Sequence, residues 1–180
     1  MGLFDFLIGK KKVATPTEKL EKRAEEVIKN PATNKKIGND LWVEAMNTSD
    51  MKKKEQLLLG SEKLVGNVED LHFTYLCLYE MYYKQRDEKP SALEMCIEYC
   101  KKDIELYPRF IKKYMETSSV IPKVPAFQQL AIIYEKQGKY KDAIKVSELA
   151  IQYDQKEDTK SGYEGRIERL KNKIQKANTQ

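Results

Sequence analysis

Histidine is almost missing from the sequence, since His72 is the only one among 180 residues. Catalysis by a Ser–His or Cys–His pair, or by a His-Glu-x-x-His zinc site, needs histidine beside a nucleophile or a metal. His72 instead follows Asp70 near the start of a predicted helix, where a surface or capping role is the ordinary interpretation. Glycine-rich phosphate loops are also missing, and no acidic residue stands isolated in an apolar setting that would raise its pKa. The sequence therefore predicts a non-enzyme without a catalytic residue, a cofactor or a metal.

The sequence has only three cysteines, which are Cys77, Cys96 and Cys100. An odd number predicts a reduced, intracellular protein rather than a disulfide framework. Cys96 and Cys100 are expected on one face of a helix, and Cys77 could approach them from the preceding helix. A metal or redox site there is the sharper hypothesis, but the sequence has no Cys-x-x-Cys and no pair of histidine ligands. Cysteines buried as small apolar residues are therefore the preferred interpretation.

Neither sign of charge is concentrated in one part of the sequence. The 33 basic and 28 acidic residues give a net charge of +5 and are interspersed, which is typical of a solvated helical surface. A nucleic-acid module would usually gather its basic residues into a stripe. A helix-turn-helix is not recognisable either. The sequence therefore disfavours nucleic acid as a partner.

Long apolar runs are absent, and none could cross a bilayer. The opening MGLFDFLIGKKK places its apolar residues before its lysines, the reverse of a signal peptide. The residues expected to touch an anionic membrane surface are Leu3, Phe4, Phe6, Leu7, Ile8, Lys10, Lys11 and Lys12. Three lysines near such a surface contribute about 3 kcal/mol of binding free energy, whereas Phe6 argues against N-myristoylation. The alternatives for this arm are a strap packed on the helical domain or a disordered end. The predicted location is cytoplasmic, or peripheral at the inner face of the membrane.

Helical spacing of apolar residues dominates the remaining sequence, and no run alternates long enough to predict a sheet. A Thr-x-x-Glu capping box at Thr15 predicts a first helix that ends before Pro31. Residues 30–39 are predicted to form a loop. The further helices are predicted over 40–65 with a break near Ser49, from Asn67 to the RDEKP turn, over 91–107 between Ser91 and Pro108, over 110–115 as a tail or a separate helix, and over 125–137, 140–153 and 161–176. The segment SSVIPKVP is predicted to be a linker.

Residues 124–157 carry a pattern of spaced small and aromatic residues. Its members are Phe127, Leu130, Ala131, Tyr134, Gly138, Tyr140, Ala143 and Ala150. The three alanines let two helix backbones approach closely, and Gly138 suits a helix end that needs a positive φ. The pattern resembles the tetratricopeptide repeat, in which a Gly-x-Tyr turn joins two helices. It departs from that family at four positions. Phe127 replaces the usual Trp, Ala131 replaces Gly, Ser147 replaces a large aromatic residue, and Gln155 replaces Pro.

The resemblance implies an all-α fold, a short right-handed stack of antiparallel helix pairs with irregular N-terminal helices and a C-terminal capping helix. A second, degenerate copy of the repeat is expected between residue 71 and Pro108. The predicted organisation is an N-terminal arm (1–14), an N-terminal helical segment packed on the repeat domain (15–66) and a tetratricopeptide-like domain with its cap (67–180).

The resemblance also implies a non-catalytic scaffold or adaptor that binds a protein or a peptide. The candidate partner groove is aromatic and consists of Tyr75, Tyr79, Tyr83, Tyr114, Phe127 and Tyr134. Core packing is the alternative role of the tyrosine-rich helix. Family members that bind chaperone tails carry a clamp of Lys and Asn, whereas this sequence has Gln128, Gln129 and Ile132 there, which argues against carboxylate-tail recognition. The alternative functions are a membrane-surface adaptor that uses the arm, and a peptide-responsive regulator associated with nucleic acid.

Overall fold

The computed structural model describes the backbone of residues 31–178, and every regular element in that range is an α-helix. The helices are α1 (Pro31–Asn47), α2 (Met51–Leu64), α3 (Val68–Lys84), α4 (Ala92–Tyr114), α5 (Pro125–Lys136), α6 (Tyr140–Gln152) and α7 (Gly162–Asn178). Side chains are described for residues 36–177. The predicted all-α fold is confirmed. The helix predicted from Thr15 and the N-terminal arm lie outside the described residues.

The hydrophobic core runs without interruption from α1 to α7. Each helix packs against the next one in the chain, and α3 also contacts α5. Helix α5 is the most completely covered, and its buried residues are Ala126, Phe127, Leu130, Ala131, Ile133 and Tyr134. Since α4, α6 and α3 all contact it, α5 joins the α3–α4 part of the core to α6.

Side-chain caps define where α2 and α3 begin. The Asp50 carboxylate accepts hydrogen bonds from the backbone N–H groups of Lys52 (2.9 Å) and Lys53 (3.1 Å). The Asn67 side chain accepts one from the N–H of Asp70 at 2.8 Å, which confirms the predicted cap. The break predicted near Ser49 is also present, between α1 and α2.

The loop predicted over residues 30–39 is wrong, because α1 begins at Pro31. Proline is well placed at the first position of a helix, where its missing N–H costs no hydrogen bond. Gly38 is buried against α2, where an added Cβ would lie 3.1 Å from the backbone of Leu64. Its carbonyl accepts a hydrogen bond from Ser61 Oγ at 2.9 Å. The glycine therefore serves close helix packing rather than a turn.

The end of a helix predicted at Pro108 is also wrong, since α4 continues to Tyr114 with the proline inside it. A proline in this position removes one backbone hydrogen bond and disfavours the helix. Pro108 itself is exposed, while Tyr107 and Phe110 on either side are 2% exposed. Burial of these two rings on both sides of the proline keeps the helix continuous. Ser91, which precedes α4, makes no capping hydrogen bond with its side chain.

The turn between α5 and α6 is the one predicted. Gly138 has a φ of 72°, in the left-handed region that favours glycine. Lys139 donates its backbone N–H to the carbonyl of Tyr134 at 2.9 Å and closes the helix end. Ala131, Ala143 and Ala150 all have 0% exposure, so their methyl groups lie in the interior of the protein.

Candidate functional site

The six aromatic residues predicted to line a groove do not form one open surface. Tyr79 and Phe127 are only 1% and 0% exposed, and Tyr134 is 9% exposed. These three rings belong to the core, so a groove made of all six residues is wrong. Burial raises the pKa of the Tyr79 hydroxyl far above its usual range, as expected for a phenol that is removed from water.

The other three tyrosines are half-buried and have different neighbours. The Tyr75 ring centroid lies 5.8 Å from that of Tyr99 on α4. The hydroxyl of Tyr83 accepts a hydrogen bond from Lys136 Nζ at 3.2 Å, between α3 and α5. The Tyr114 ring lies beside Phe110, with 5.6 Å between their centroids. Tyr75 and Tyr83 therefore contact neighbouring helices, whereas the Tyr114 ring packs on a residue of its own helix.

The arm residues predicted to contact a membrane, from Leu3 to Lys12, lie outside the described part of the chain. None of the seven helices between residues 31 and 178 combines the length and the apolar composition that a membrane-spanning helix requires.

The three cysteines are separated into two environments. Cys96 and Cys100 are buried with 0% exposure, as predicted for small apolar residues. Cys77 is half-buried and points to α1, where its Sγ lies 3.5 Å from Sδ of Met46. The expected approach of Cys77 to the other two is therefore wrong. No group of three potential metal ligands occurs among the described residues.

His72 and Asp103 form a buried pair that the sequence did not predict. His72 Nδ1 lies 2.6 Å from Asp103 Oδ1, and the residues are 4% and 1% exposed. The imidazole also stacks on Phe110, with 4.1 Å between ring centroids. Burial raises the pKa of the Asp103 carboxyl, although its bond to His72 opposes part of this effect. The surface or capping role expected for His72 is wrong, and so is the expectation that no carboxyl group has a raised pKa.

This pair joins α3 to α4 inside the core. Both side chains are almost completely covered, so a substrate could not reach them without a change in the packing of the two helices. The second carboxylate oxygen of Asp103 has no hydrogen-bond partner among the described residues. A buried carboxylate with one unpaired oxygen costs free energy when it is ionised. The arrangement therefore makes helix packing sensitive to protonation.

A different surface, on α1 and α3, has three exposed large apolar side chains around a contact between the two helices. Val43 and Met46 on α1 are 47% and 46% exposed, and Phe73 on α3 is 44% exposed. Val43 and Met46 are three residues apart, and Phe73 is four residues from Cys77, so each pair shares one helix face. The contact between Met46 and Cys77 brings the two faces together. We call these four residues the α1–α3 apolar surface.

Carboxylates stand at both ends of the α3 part of this surface. Glu69 precedes Phe73 by four residues, and the exposed Glu80 follows Cys77 by three, so both lie on the same helix face. Neither forms an ion pair with another described residue. The α3 part of this surface thus has an apolar centre with a carboxylate at each end, and Lys113 lies close enough to Glu69, and Lys54 to Cys77, to interact electrostatically.

This surface carries little signal in the sequence. In the sequence, Val43, Met46 and Phe73 are ordinary members of amphipathic helices, and only the contact between Met46 and Cys77 shows that their helix faces meet.

No protein-family model, no curated protein and no solved structure matches the chain.

Proposed function

We propose that this protein is a non-catalytic scaffold that binds a protein or peptide, and that its helix pairs form a short tetratricopeptide-like stack. The pairs α1–α2, α3–α4 and α5–α6 follow one another, and α7 covers the last of them. The positive φ of Gly138 and the full burial of Ala131, Ala143 and Ala150 support the repeat-like packing of α5 and α6. We place the partner site at the α1–α3 apolar surface.

The observation that carries this proposal is the cluster of half-exposed large apolar side chains on two contacting helices. Covering the exposed half of Val43, Met46 or Phe73 contributes about 1 kcal/mol for each residue. Single exposed apolar residues need no explanation, but adjacent ones are typical of interaction surfaces. An amphipathic helical segment fits such a surface, because it presents apolar residues at three- and four-residue spacing.

The test is selection of peptides from a displayed library with the full chain. We expect enrichment of amphipathic sequences, and loss of their binding in a Met46→Glu variant. Ile151→Glu is the matched control, because Ile151 is a 38% exposed apolar residue on α6, away from the proposed site. Equal binding by both variants would place the site elsewhere, and failure to enrich any peptide would refute the proposed function.

A further inference from the structure

We propose that the α1–α3 apolar surface binds residues 3–8 of this same chain, so that the N-terminal arm competes with an external peptide for one site. This inference rests on the proposed function, because it assigns a particular occupant to the same surface. The arm lies outside the described residues; its apolar content, its charge and the length of chain that joins it to α1 all suit this surface.

The apolar content of the arm matches what the surface leaves uncovered. Five of the six residues from Leu3 to Ile8 are apolar, and two of them are phenylalanines. Residues three and four apart within this run, such as Leu3 and Leu7, would lie on one face of a helical turn. The surface offers Val43, Met46 and Phe73 as contacts for such a face.

The two carboxylates at the ends of the surface can pair with the lysines of the arm. Lys10, Lys11 and Lys12 follow the apolar run after a single glycine. Glu69 and Glu80 stand at the two ends of the α3 part of the surface, so either direction of the bound arm brings its lysines towards a carboxylate. Glu80 lies only about 4.5 Å beyond Cys77 along the helix axis. A lysine that follows apolar residues bound over Cys77 can therefore reach its carboxylate.

The chain between the arm and α1 is long enough for this contact. Residues 9–30 separate Ile8 from Pro31, and half of those 22 residues in an extended conformation span about 36 Å. From Pro31 to Met46 the distance along α1 is about 22 Å. The arm can therefore reach the surface even if the remaining residues of the connection are helical.

Tethering gives the arm an advantage over a free peptide. A segment joined to its own binding site acts at an effective concentration in the millimolar range for a short flexible connection. A weak contact is then sufficient to cover the surface. An external partner must bind more tightly than the arm, and its binding releases residues 3–12.

Trp42 provides the measurement, because it is the only tryptophan in the chain and neighbours the surface. It is half-buried; burial raises the pKa of the Cys77 thiol, and the Trp42 indole lies close enough to that thiol to oppose part of the rise. We expect the Trp42 emission of the full chain to shift to the red when Phe4→Ser and Phe6→Ser are introduced together. These substitutions change no contact among the described residues, so they leave the helical core intact.

Adding the arm in trans completes the test. A synthetic peptide of residues 1–12 should reverse the red shift of the double Ser variant. The dissociation constant of this peptide should increase about tenfold or more when Met46→Glu is added to that variant. Adding Ile151→Glu instead should leave peptide binding unchanged, and thermal melts should show that both Glu variants are folded.

Two outcomes would overturn the arm contact. One is identical Trp42 emission in the wild type and the double Ser variant, with no response to the peptide. The other is binding of the wild type to phosphatidylserine vesicles without any difference in Trp42 emission, which assigns the arm to a membrane instead. If library peptides bind in a Met46-dependent manner while the arm peptide does not, this inference fails and the proposed function stands. If only the arm peptide binds, even when the library is selected on the double Ser variant whose own arm no longer covers the surface, the proposed function fails and the arm contact stands.

Discussion

Nδ1 of His72 lies 2.6 Å from Oδ1 of Asp103, and this contact joins α3 to α4 across 31 positions of the chain. The Phe110 ring covers the imidazole from α4. Titratable side chains that face the carboxyl group include Tyr75 and Tyr79 on α3, and Cys100 one turn earlier on α4. The pair therefore brings a proton-dependent interaction into the packing of two helices.

We expect Asp103→Asn to gain stability relative to the wild type as the pH rises from about 4 to 7. Burial raises the folded-state pKa of Asp103 above its unfolded value of about 4. The favourable contribution of the protonated group is fully present below that value and is lost as the pH rises through the folded-state pKa. Asparagine keeps an acceptor for His72 and does not ionise, so the variant lacks this loss. Urea melts at several pH values measure the difference, which changes by at most about 1.4 kcal/mol per pH unit.

The matched control for this prediction is Asp142→Asn, because Asp142 is an exposed aspartate on α6. Its stability profile should parallel that of the wild type over the same pH range. A constant gap between Asp103→Asn and the wild type would show that Asp103 does not change its protonation in this window.

Helical periodicity contained the signal for Asp103, but residue type concealed it. Cys96, Cys100, Asp103, Tyr107 and Phe110 follow one another at three- and four-residue spacing, and all five are buried. The sequence therefore predicts that Asp103 is buried, because it belongs to an apolar stripe of α4. Its partner is not predicted, because the contact with His72 depends on the alignment of α3 with α4.

Local sequence preferences predicted most helices correctly and failed where tertiary packing opposed them. The helices over 125–137 and 140–153 follow from their own apolar spacing and from the glycine between them. Gly38 and Pro108 are ordinary helix-ending signals, yet both lie inside helices, because contacts with α2 in one case and buried rings on either side in the other stabilise the helix. The α1–α3 apolar surface was not predicted from the sequence, because it exists only where α1 and α3 come together in the fold.

Gly138→Ala should destabilise the protein by about 1–2 kcal/mol, through backbone conformation alone. Its φ is 72°, and an added Cβ would meet no atom within 4 Å, so no steric clash contributes. The cost is that of a left-handed conformation for a residue with a Cβ. Gly66→Ala is the control, since an added Cβ there also meets nothing and its φ is not positive. Denaturant melts should leave Gly66→Ala within about 0.5 kcal/mol of the wild type, and an equal loss in both variants would contradict the argument.

Arg166→Met should destabilise the attachment of α7. Its guanidinium donates hydrogen bonds to the buried carboxylate of Glu157 and, at 2.6 Å, to Glu135 on α5. Removal of one partner from a buried ion pair costs about 3–5 kcal/mol, because the other charge is left unpaired. Addition of Glu157→Gln should recover part of the loss in thermal melts. Arg169→Met, on the exposed side of the same helix, should have little effect, and no recovery in the double variant would show that the loss arises from packing alone.

The same variant should alter the acid sensitivity of the protein. Burial alone would raise the pKa of Glu135, but Lys173 and Arg166 together lower it. A lowered carboxyl pKa contributes stability that is present above the unfolded value and is lost as the pH falls through the folded value. Without Arg166 the lowering is smaller, so the acid-induced loss should be smaller and should be complete at a higher pH than in the wild type. Melts of both proteins between about pH 2.5 and 5 test this order of transitions, and coincident profiles would contradict it.

A charge introduced between α5 and α6 should separate these helices. Ala131 and Ala143 both have 0% exposure, so Ala131→Glu or Ala143→Glu forces a carboxylate into a contact that has room for a methyl group. Overpacking and desolvation of the charge both oppose folding, and together they should remove about 3 kcal/mol or more of stability. Gln152→Glu adds the same charge at an exposed position of α6 and should change stability by no more than about 0.5 kcal/mol. Thermal melts compare the three variants. If either alanine variant melts with the wild type, the close approach of the two helices does not depend on small residues at that position.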